Sequence, residues 1–343
     1  MPLTALDVAD MVASTLPDLG RLKFQNIAQN LVSYEVFSRW FRQDKVVFDD
    51  GVSIQRTLMN RLSGNAAHVG LMHTDNTNIV DLVDQLVIPW RHAQTFWSFN
   101  FQMGLMNRGK SLIYKVVAPR RAAAMIDLVE ELENKAWSAP SASNKTDPYG
   151  IPYWIVKNAT TGFNGGLPSG HSTIAGVSLT DSPTFKNYTF THANVSKGDC
   201  IKKMRTARRK CNFVSPVDID DYRNGNGNKY RIYCNESTFS DFEDVGESQN
   251  ENLGKDIAAI DGMDLAFRKH PIRYVPKLDD QSDNPIYGID HSVFMPVALK
   301  GDYLRESSPI MAPNQHNWFN VFVDLTYNYL CVDRRRCFVT YVA

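Results

Sequence analysis

Residues 51–101 constrain this chain more than any other stretch. Val52, Ile54, Leu58 and Leu62 alternate with Ser53, Gln55, Thr57 and Arg61, a period of two that marks extended chain, with Arg56 and Asn60 as interruptions. Ser63 to Asn78 is polar and rich in Gly, Asn and His, which suits a loop tip. A second extended run returns from Ile79 to Phe101, broken at Pro89. The segment is therefore expected to be one long two-stranded excursion. An isolated hairpin is marginal in water, so it must fold back on its own domain or reach onto a neighbouring molecule.

The rest of the 343 residues supplies the body, a length that suits about two domains. The first 34 residues read as a helical arm, with stripes Ala5, Val8, Val12 and Leu22, Ile27, Leu31 broken by Pro17 and Gly20. Ala122, Met125, Val129, Leu132 and Ala136 recur at spacings of three and four and predict a strong helix. Pro119 sits near its first turn, and Asp127, Glu130, Glu131 and Glu133 fall mostly on other faces. Residues 138–183 are expected to be loops with short strands such as Tyr153 to Val156. A helix is predicted from Asp199 to Cys211, a strand from Lys229 to Cys234, an acidic helix from Ser237 to Gln249 and a strand from Ile272 to Val275. Two β-rich stretches, Phe319 to Val342, flank Asp333-Arg334-Arg335-Arg336. Helices and strands do not alternate regularly, so the fold class is α+β and not a doubly wound sheet.

Charge and cysteine content narrow the function classes. Lys and Arg number 37 against 37 Asp and Glu, whereas a dedicated nucleic-acid binder carries a basic excess or a concentrated basic face. Any contact with DNA is thus expected to be weak and local. No basic and apolar leader opens the chain, and no stretch approaches the roughly 20 apolar residues that span a bilayer. Cys200, Cys211, Cys234, Cys331 and Cys337 are odd in number and lack a CxxC pair, so buried free thiols are expected, without disulfides or zinc. The sequons at Asn158, Asn187, Asn194 and Asn235 then read as chance matches in a cytosolic product.

Two motifs could carry chemistry. Gly104-Leu105-Met106-Asn107-Arg108-Gly109-Lys110-Ser111 matches the Walker A pattern, with Asp324, closing Val321-Phe322-Val323, as a possible metal-binding partner. The preceding segment contains Ser98, Asn100 and Gln102, however, where a central parallel strand is almost wholly apolar. Pro168-Ser169-Gly170-His171 matches the centre of a phosphohistidine phosphatase signature, but its Arg-Pro and downstream Ser-Arg partners are missing. The eight His lack HExxH spacing, Asp279, Asp280 and Asp283 read as a solvated turn, and no catalytic, cofactor or metal residue is assigned. Lys202, Lys203, Arg205, Arg208, Arg209 and Lys210 surround Ile201, Met204, Ala207 and Cys211. Three readings stay open: a solvated face, contact with phosphates or an acidic partner, or subunit pairing with Glu236, Asp241, Glu243, Asp244, Glu247, Glu251 and Asp256.

Several phrases together carry a resemblance. They are Ile88-Pro89-Trp90-Arg91-His92, Arg120-Arg121-Ala122, Lys203 to Lys210 followed by Phe213 and Ser215-Pro216, Asn250-Glu251-Asn252-Leu253-Gly254, Pro285 to Ile289, Ala312-Pro313-Asn314-Gln315-His316 and Arg334-Arg335-Arg336. With the element order, they make the chain resemble, over nearly its whole length, the major capsid proteins of tailed bacteriophages, whose Hong-Kong-97-type fold encapsulins share. The resemblance implies an N-terminal arm (1–44), an extended β-hairpin loop (45–101), a spine helix (110–137) within a peripheral domain (102–219), an axial domain (220–310) and return strands of the peripheral domain (311–343). It implies a hairpin lying on a neighbouring subunit and self-assembly as hexamers and pentamers into an icosahedral shell in the virion, around double-stranded DNA that it touches non-specifically. Scaffolding protein, portal and decoration protein are the implied partners, with no membrane, no cofactor and no enzymatic activity. The short arm implies that no large scaffolding segment is fused to it. The rival readings are an encapsulin-like protein compartment and a P-loop nucleotide hydrolase using Lys110 and Asp324.

Overall fold

The computed structural model describes residues 34–49, 51–71, 74, 79–102, 110–212, 229–247 and 265–342. Residues 1–33 of the expected arm, Gly104 to Gly109 of the Walker-like string, Phe213 with Ser215-Pro216, and Asn250 to Gly254 with Asp256 lie outside the described residues. In chain order come helix α1 (Val36–Asp44, wound in π-helical turns) and strands β1 (Val46–Phe48), β2 (Ser53–Met59), β3 (Val83–Pro89) and β4 (Arg91–Asn100). Helices α2 (Lys110–Ala136) and α3 (Ile151–Trp154), strand β5 (Tyr188–His192), helix α4 (Cys200–Cys211), strand β6 (Tyr230–Cys234) and helix α5 (Glu236–Glu247) follow. The chain ends with β7 (Ala266–Phe267), β8 (His270–Tyr274), β9 (Ile286–Asp290), β10 (Phe294–Leu299), β11 (Arg305–Glu306), β12 (Ile310–Ala312), β13 (Gln315–Cys331) and β14 (Phe338–Val342). The class is α+β, as the irregular element order predicts. Among the described residues no helix is long and apolar enough to cross a membrane.

The described residues form two compact units, one of 92–132 and 301–326, the other of 34–91, 133–300 and 327–342. In the first, β13 pairs with β11 and β12, and β4 also joins it. The sheet carries a ladder of rings: Phe96 lies 6.0 Å from Phe322, and Phe99 stacks 5.6 Å from Phe319. Helix α2 is tied to these strands by Arg120, which donates to the Ser98 carbonyl at 2.8 Å, and by Arg121, 2.6 Å from Glu306.

In the second unit the sheet runs β5-β14-β9-β6-β8-β7. Its central strands β6 and β9 are buried throughout, because alternate residues feed two cores. Tyr230, Ile232, Phe190, Phe338 and Ile286 share one core with Met204 and Ala207 of α4 and Phe242 of α5. Tyr233 and Tyr287 face the other, whose centre is the fully buried Trp40 of α1, 5.6 Å from Trp137 and 5.2 Å from His291. Gly288 permits the close approach of β14, since a Cβ there would sit 2.3 Å from the Phe338 ring. The last strand, β14, pairs with β5 in parallel and with β9 antiparallel.

Several expectations need correction. Strand β4 is not part of the excursion: β3 pairs with β2, whereas β4 pairs with β13, so the hairpin proper is 53–89. The reason is the break at Trp90, whose Nε1 donates to the Gly51 carbonyl at 2.8 Å and turns the chain at the hairpin base. Pro119 lies inside α2, not in its first turn; its missing N–H leaves the carbonyl four residues earlier without a helical donor. The buried stripe of α2 is Ala124, Leu128, Leu132 and Ala136, rotated from the expected one, and Glu133 is buried beside it. Residues 151–154 form a helix where a strand was predicted, because Gly150 caps it and Pro152 suits a first turn. Asp279 is exposed, as expected of a solvated segment, but it also caps α5, accepting from its first N–H, Glu236, at 2.9 Å and from the Tyr274 hydroxyl. Strands β5, β9 and β10 were not foreseen. Ile286 to Asp290 is buried throughout, and an uninterrupted apolar run carries no alternation to read.

Candidate assembly surfaces and their buried supports

The hairpin has an anchored base and an exposed end. Ile54, Leu86 and Ile88 are fully buried on one face. The Val87 N–H donates to the Ala175 carbonyl at 2.8 Å, beside Gly176, whose positive φ of 91° lets the two backbones approach. Arg61 pairs with Asp181 at 3.1 Å. Asn328, fully buried on β13, donates to the Pro89 carbonyl at 2.7 Å while accepting from the Tyr149 and Tyr329 N–H groups. Past the last paired residues, Met59 and Val83, the apolar side chains are uncovered: Leu62 is 81% exposed and Ile79 98%. A cluster of exposed large apolar residues marks an interaction surface.

The region between α2 and β14 is held by buried charge. Arg334 is fully buried, and its guanidinium donates to five acceptors within the chain. These are the carbonyls of Trp154, Phe185 (3.0 Å), Gly165 (3.5 Å) and Gly166 (3.1 Å) and the Oδ1 of Asn187 (3.0 Å). One planar fork thus gathers a loop that has little regular structure of its own. Burial pulls the Arg334 pKa down to about 10. Its neighbours are used differently: Arg335 makes a bidentate pair with Asp333 at 2.9 Å, and Arg336 reaches Asp290 at 3.4 Å.

Under α1, Asp44 accepts from Arg231 at 3.0 Å and lies 3.6 Å from Lys229. Trp40 Nε1 donates to the Tyr233 hydroxyl at 2.8 Å, which meets His291 Nε2 at 2.8 Å. Burial holds His291 well below the usual imidazole range. Glu133 accepts from Val36 N–H and Trp137 Nε1, both at 2.9 Å, and burial pushes its carboxyl up to about 7. None of these groups was singled out in the sequence except Glu133, as an outward-facing acid, and the Arg334–Arg336 phrase. A lone buried polar residue leaves no periodic signal.

The motifs with possible chemistry are dispersed. Lys110 and Ser111 open α2. Asp324 lies on β13, where it pairs with Arg305 at 3.1 Å in an antiparallel ladder, not at the end of a parallel strand. His171 Nε2 is 3.0 Å from the Pro140 carbonyl, and its ring packs edge-on against Tyr153, which is a loop-packing role. All five cysteines are buried and unbridged. Of the sequons, Asn187 and Asn235 are buried.

On α4, Met204, Ala207 and Cys211 face the core. Arg208 stacks 4.2 Å over the Tyr230 ring and reaches His270, while Lys203 pairs with Asp199 at 2.6 Å. Lys202, Arg209 and Lys210 are exposed and Arg205 half-exposed. On α5, Thr238 and Phe242 face inward, whereas Glu236, Asp241, Glu243 and Asp244 are exposed.

No family model and no curated protein matches the sequence. Solved structures do match, across almost the whole chain. The capsid of cyanophage A-1(L) aligns with a TM-score of 0.64 at 13% identity, covering 93% of this chain and 95% of the other. The capsid of a native GTA particle gives 0.55 at 14% identity, with 96% of each chain covered. The capsid of Myoviridae phage XM1 gives 0.51 at 9% identity, covering 95% and 97%. At such low identity the likeness speaks for architecture, and it spans both compact units: the chain has the fold of phage capsid proteins.

Proposed function

We propose that the chain is the major capsid protein of a tailed bacteriophage, a structural subunit that assembles as hexamers and pentamers into an icosahedral shell around double-stranded DNA. The observation that carries the reading is the end-to-end fold match to capsid subunits. The hairpin supports it: its base is anchored on its own chain, while its exposed apolar end needs a surface that the described residues do not supply. In this reading residues 60–82 lie on a neighbouring subunit, α2 is the spine helix and 220–310 the axial domain. Obligate interfaces of this kind bury more than about 2,000 Å². The balanced charge suits a shell that meets DNA only through weak, sequence-independent contacts. Scaffolding protein, portal and decoration protein are its further partners. The subunit is made in the bacterial host cytoplasm and ends in the virion.

The test is electron microscopy of the expressed chain with size-exclusion chromatography, alone and with candidate scaffolding protein. Closed shells, rings of five or six, or tubes are expected. Replacing residues 60–82 by a short turn is expected to leave a folded subunit that builds none of these. A chain that stays monomeric or dimeric with scaffold present overturns the shell reading, and an intact shell from the hairpin deletion overturns the placement of the hairpin.

A further inference from the structure

Resting on the shell reading, we infer that helices α4 and α5 form a two-signed contact face for a second copy of this chain, the basic helix of one copy meeting the acidic helix of the next. Both helices are seated on the same face of one sheet, since Met204, Ala207 and Phe242 enter a single apolar core. Their described outer surfaces carry opposite charge: Lys202, Arg205, Arg209 and Lys210 against Glu236, Asp241, Glu243 and Asp244. The remaining cations of α4 are used inside the chain. Lys203 holds Asp199 and the Thr191 carbonyl, and Arg208 holds the Tyr230 ring and His270. Among the described residues no ion pair joins α4 to α5.

The juxtaposition decides between partners. A phosphate backbone laid along both helices would gain at Lys202 and Arg209 and lose at the carboxylates of α5, each exposed charge acting over about one screening length of about 8–10 Å. A partner that satisfies both helices must present both signs in the same spacing, and a second copy of this surface does. Small side chains between the charges, Ser237 and Ser240 on α5 and Thr206 on α4, are exposed or half-exposed and allow close approach. Such pairing chiefly sets register and excludes wrong partners, with like-on-like contacts repelling. Apolar area elsewhere would supply most of the affinity.

The experiment is a charge swap in the full chain, with folding of each variant checked by circular dichroism. One variant carries Lys202→Glu, Arg205→Glu and Arg209→Glu; a second carries Asp241→Lys, Glu243→Lys and Asp244→Lys; a third carries all six. Assembled fraction is read by sedimentation velocity and electron microscopy beside the unsubstituted chain. Each single-helix reversal is expected to lower assembly at least tenfold. The six-fold swap, and an equimolar mixture of the two reversed variants, are expected to restore it. Reversals that assemble normally, or a six-fold swap as defective as its parents, overturn the inference. So does a basic-helix reversal that builds shells but loses co-purifying nucleic acid, which would assign α4 to DNA. If the unsubstituted chain fails to assemble even with scaffold, the shell reading falls first and takes this inference with it. Failure of the swap beside normal assembly leaves the shell reading standing.

Discussion

Replacing Arg334 by methionine tests how the irregular loops of this fold are held. The methionine keeps most of the side-chain length and removes the fork. Two effects oppose each other. The buried guanidinium, its pKa drawn down to about 10, bears its charge at a cost of about 3 kcal/mol relative to the neutral form, and methionine abolishes that cost. Against it, the carbonyls of Trp154, Phe185, Gly165 and Gly166 and the Oδ1 of Asn187 lose their shared donor. A buried acceptor left without a partner costs about 1–3 kcal/mol. Asn187 Oδ1 keeps the Val156 N–H at 3.1 Å and the 3.5 Å contact to Gly165 carries little weight, so three such losses, at about 2 kcal/mol each, come to about 6 kcal/mol. The acceptors win, and Arg334→Met is expected to destabilise the subunit by roughly 3 kcal/mol, a large part of a typical domain's total. The assay is equilibrium unfolding in urea followed by far-ultraviolet circular dichroism, with the slope compared to show that the same surface unfolds. A midpoint equal to or above that of the unsubstituted subunit would refute the reasoning, because it would mean that water or a shifted loop serves those carbonyls as well as the arginine does. Arg334→Lys keeps the charge and offers three donors in no fixed fork, so it is expected to be at least as damaging as methionine.

Three further outcomes are expected. Glu133 has a folded-state pKa raised from 4.5 to about 7 by burial, so the folded state disfavours its ionisation. The resulting penalty is absent below about pH 4.5, grows as pH rises, and is complete above about 7, where it reaches roughly 3 kcal/mol. The unsubstituted chain should therefore lose stability across that window relative to Glu133→Gln, and parallel pH profiles of the two melting temperatures would contradict this. His291, with its pKa held low, works the opposite way, destabilising the fold as pH falls below the usual imidazole range, which is why the comparison is made against the variant. Gly288→Ala places a methyl 2.3 Å from the Phe338 ring, and overpacking of this kind costs about 1–3 kcal/mol; pairing it with Phe338→Leu should recover part of the loss in a thermal melt. All five thiols are buried, with Cys200 pushed up to about 12, so a thiol-specific reagent should label none quickly in the native subunit and all five in denaturant; rapid labelling of one would contradict the packing around it.

The parts of the fold that were legible in the sequence are those with a period. Helix α4 and strand β6 fall where the spacing places them, as does the antiparallel pair β2–β3 with its polar connection. Helix α2 was legible as a helix but not in its orientation. Its moderately apolar surface offers two overlapping stripes, and only the packing of Ala124, Leu128 and Leu132 chooses between them. The extent of the hairpin is illegible for a similar reason. Strand β4 continues the alternation of β3 without a change of pattern, and the switch of partner at Trp90 depends on a side chain reaching the Gly51 carbonyl. Strand β9 was invisible because both its faces are buried, and the period-two signal needs one face in water.

What no pattern announced is the set of polar side chains that bond to backbone. Arg334, Asn328, Asn187 and Asp279 each join segments far apart in the chain, and each does so through carbonyl or amide groups that any residue could supply. Such an anchor constrains one position and leaves its partners' side chains unspecified. Loops gathered this way can change most of their residues and keep their path, provided the anchor and a few tight glycines, such as Gly288 against Phe338, are retained. An architecture held by backbone-directed anchors and by apolar strands of interchangeable composition is one that sequence comparison loses early and backbone comparison keeps. That accounts physically for a 0.64 structural match at 13% identity. In the reading proposed above, the specificity of this subunit lies elsewhere, on surfaces where individual side chains would meet other molecules: the bare end of the hairpin and the charged outer faces of α4 and α5.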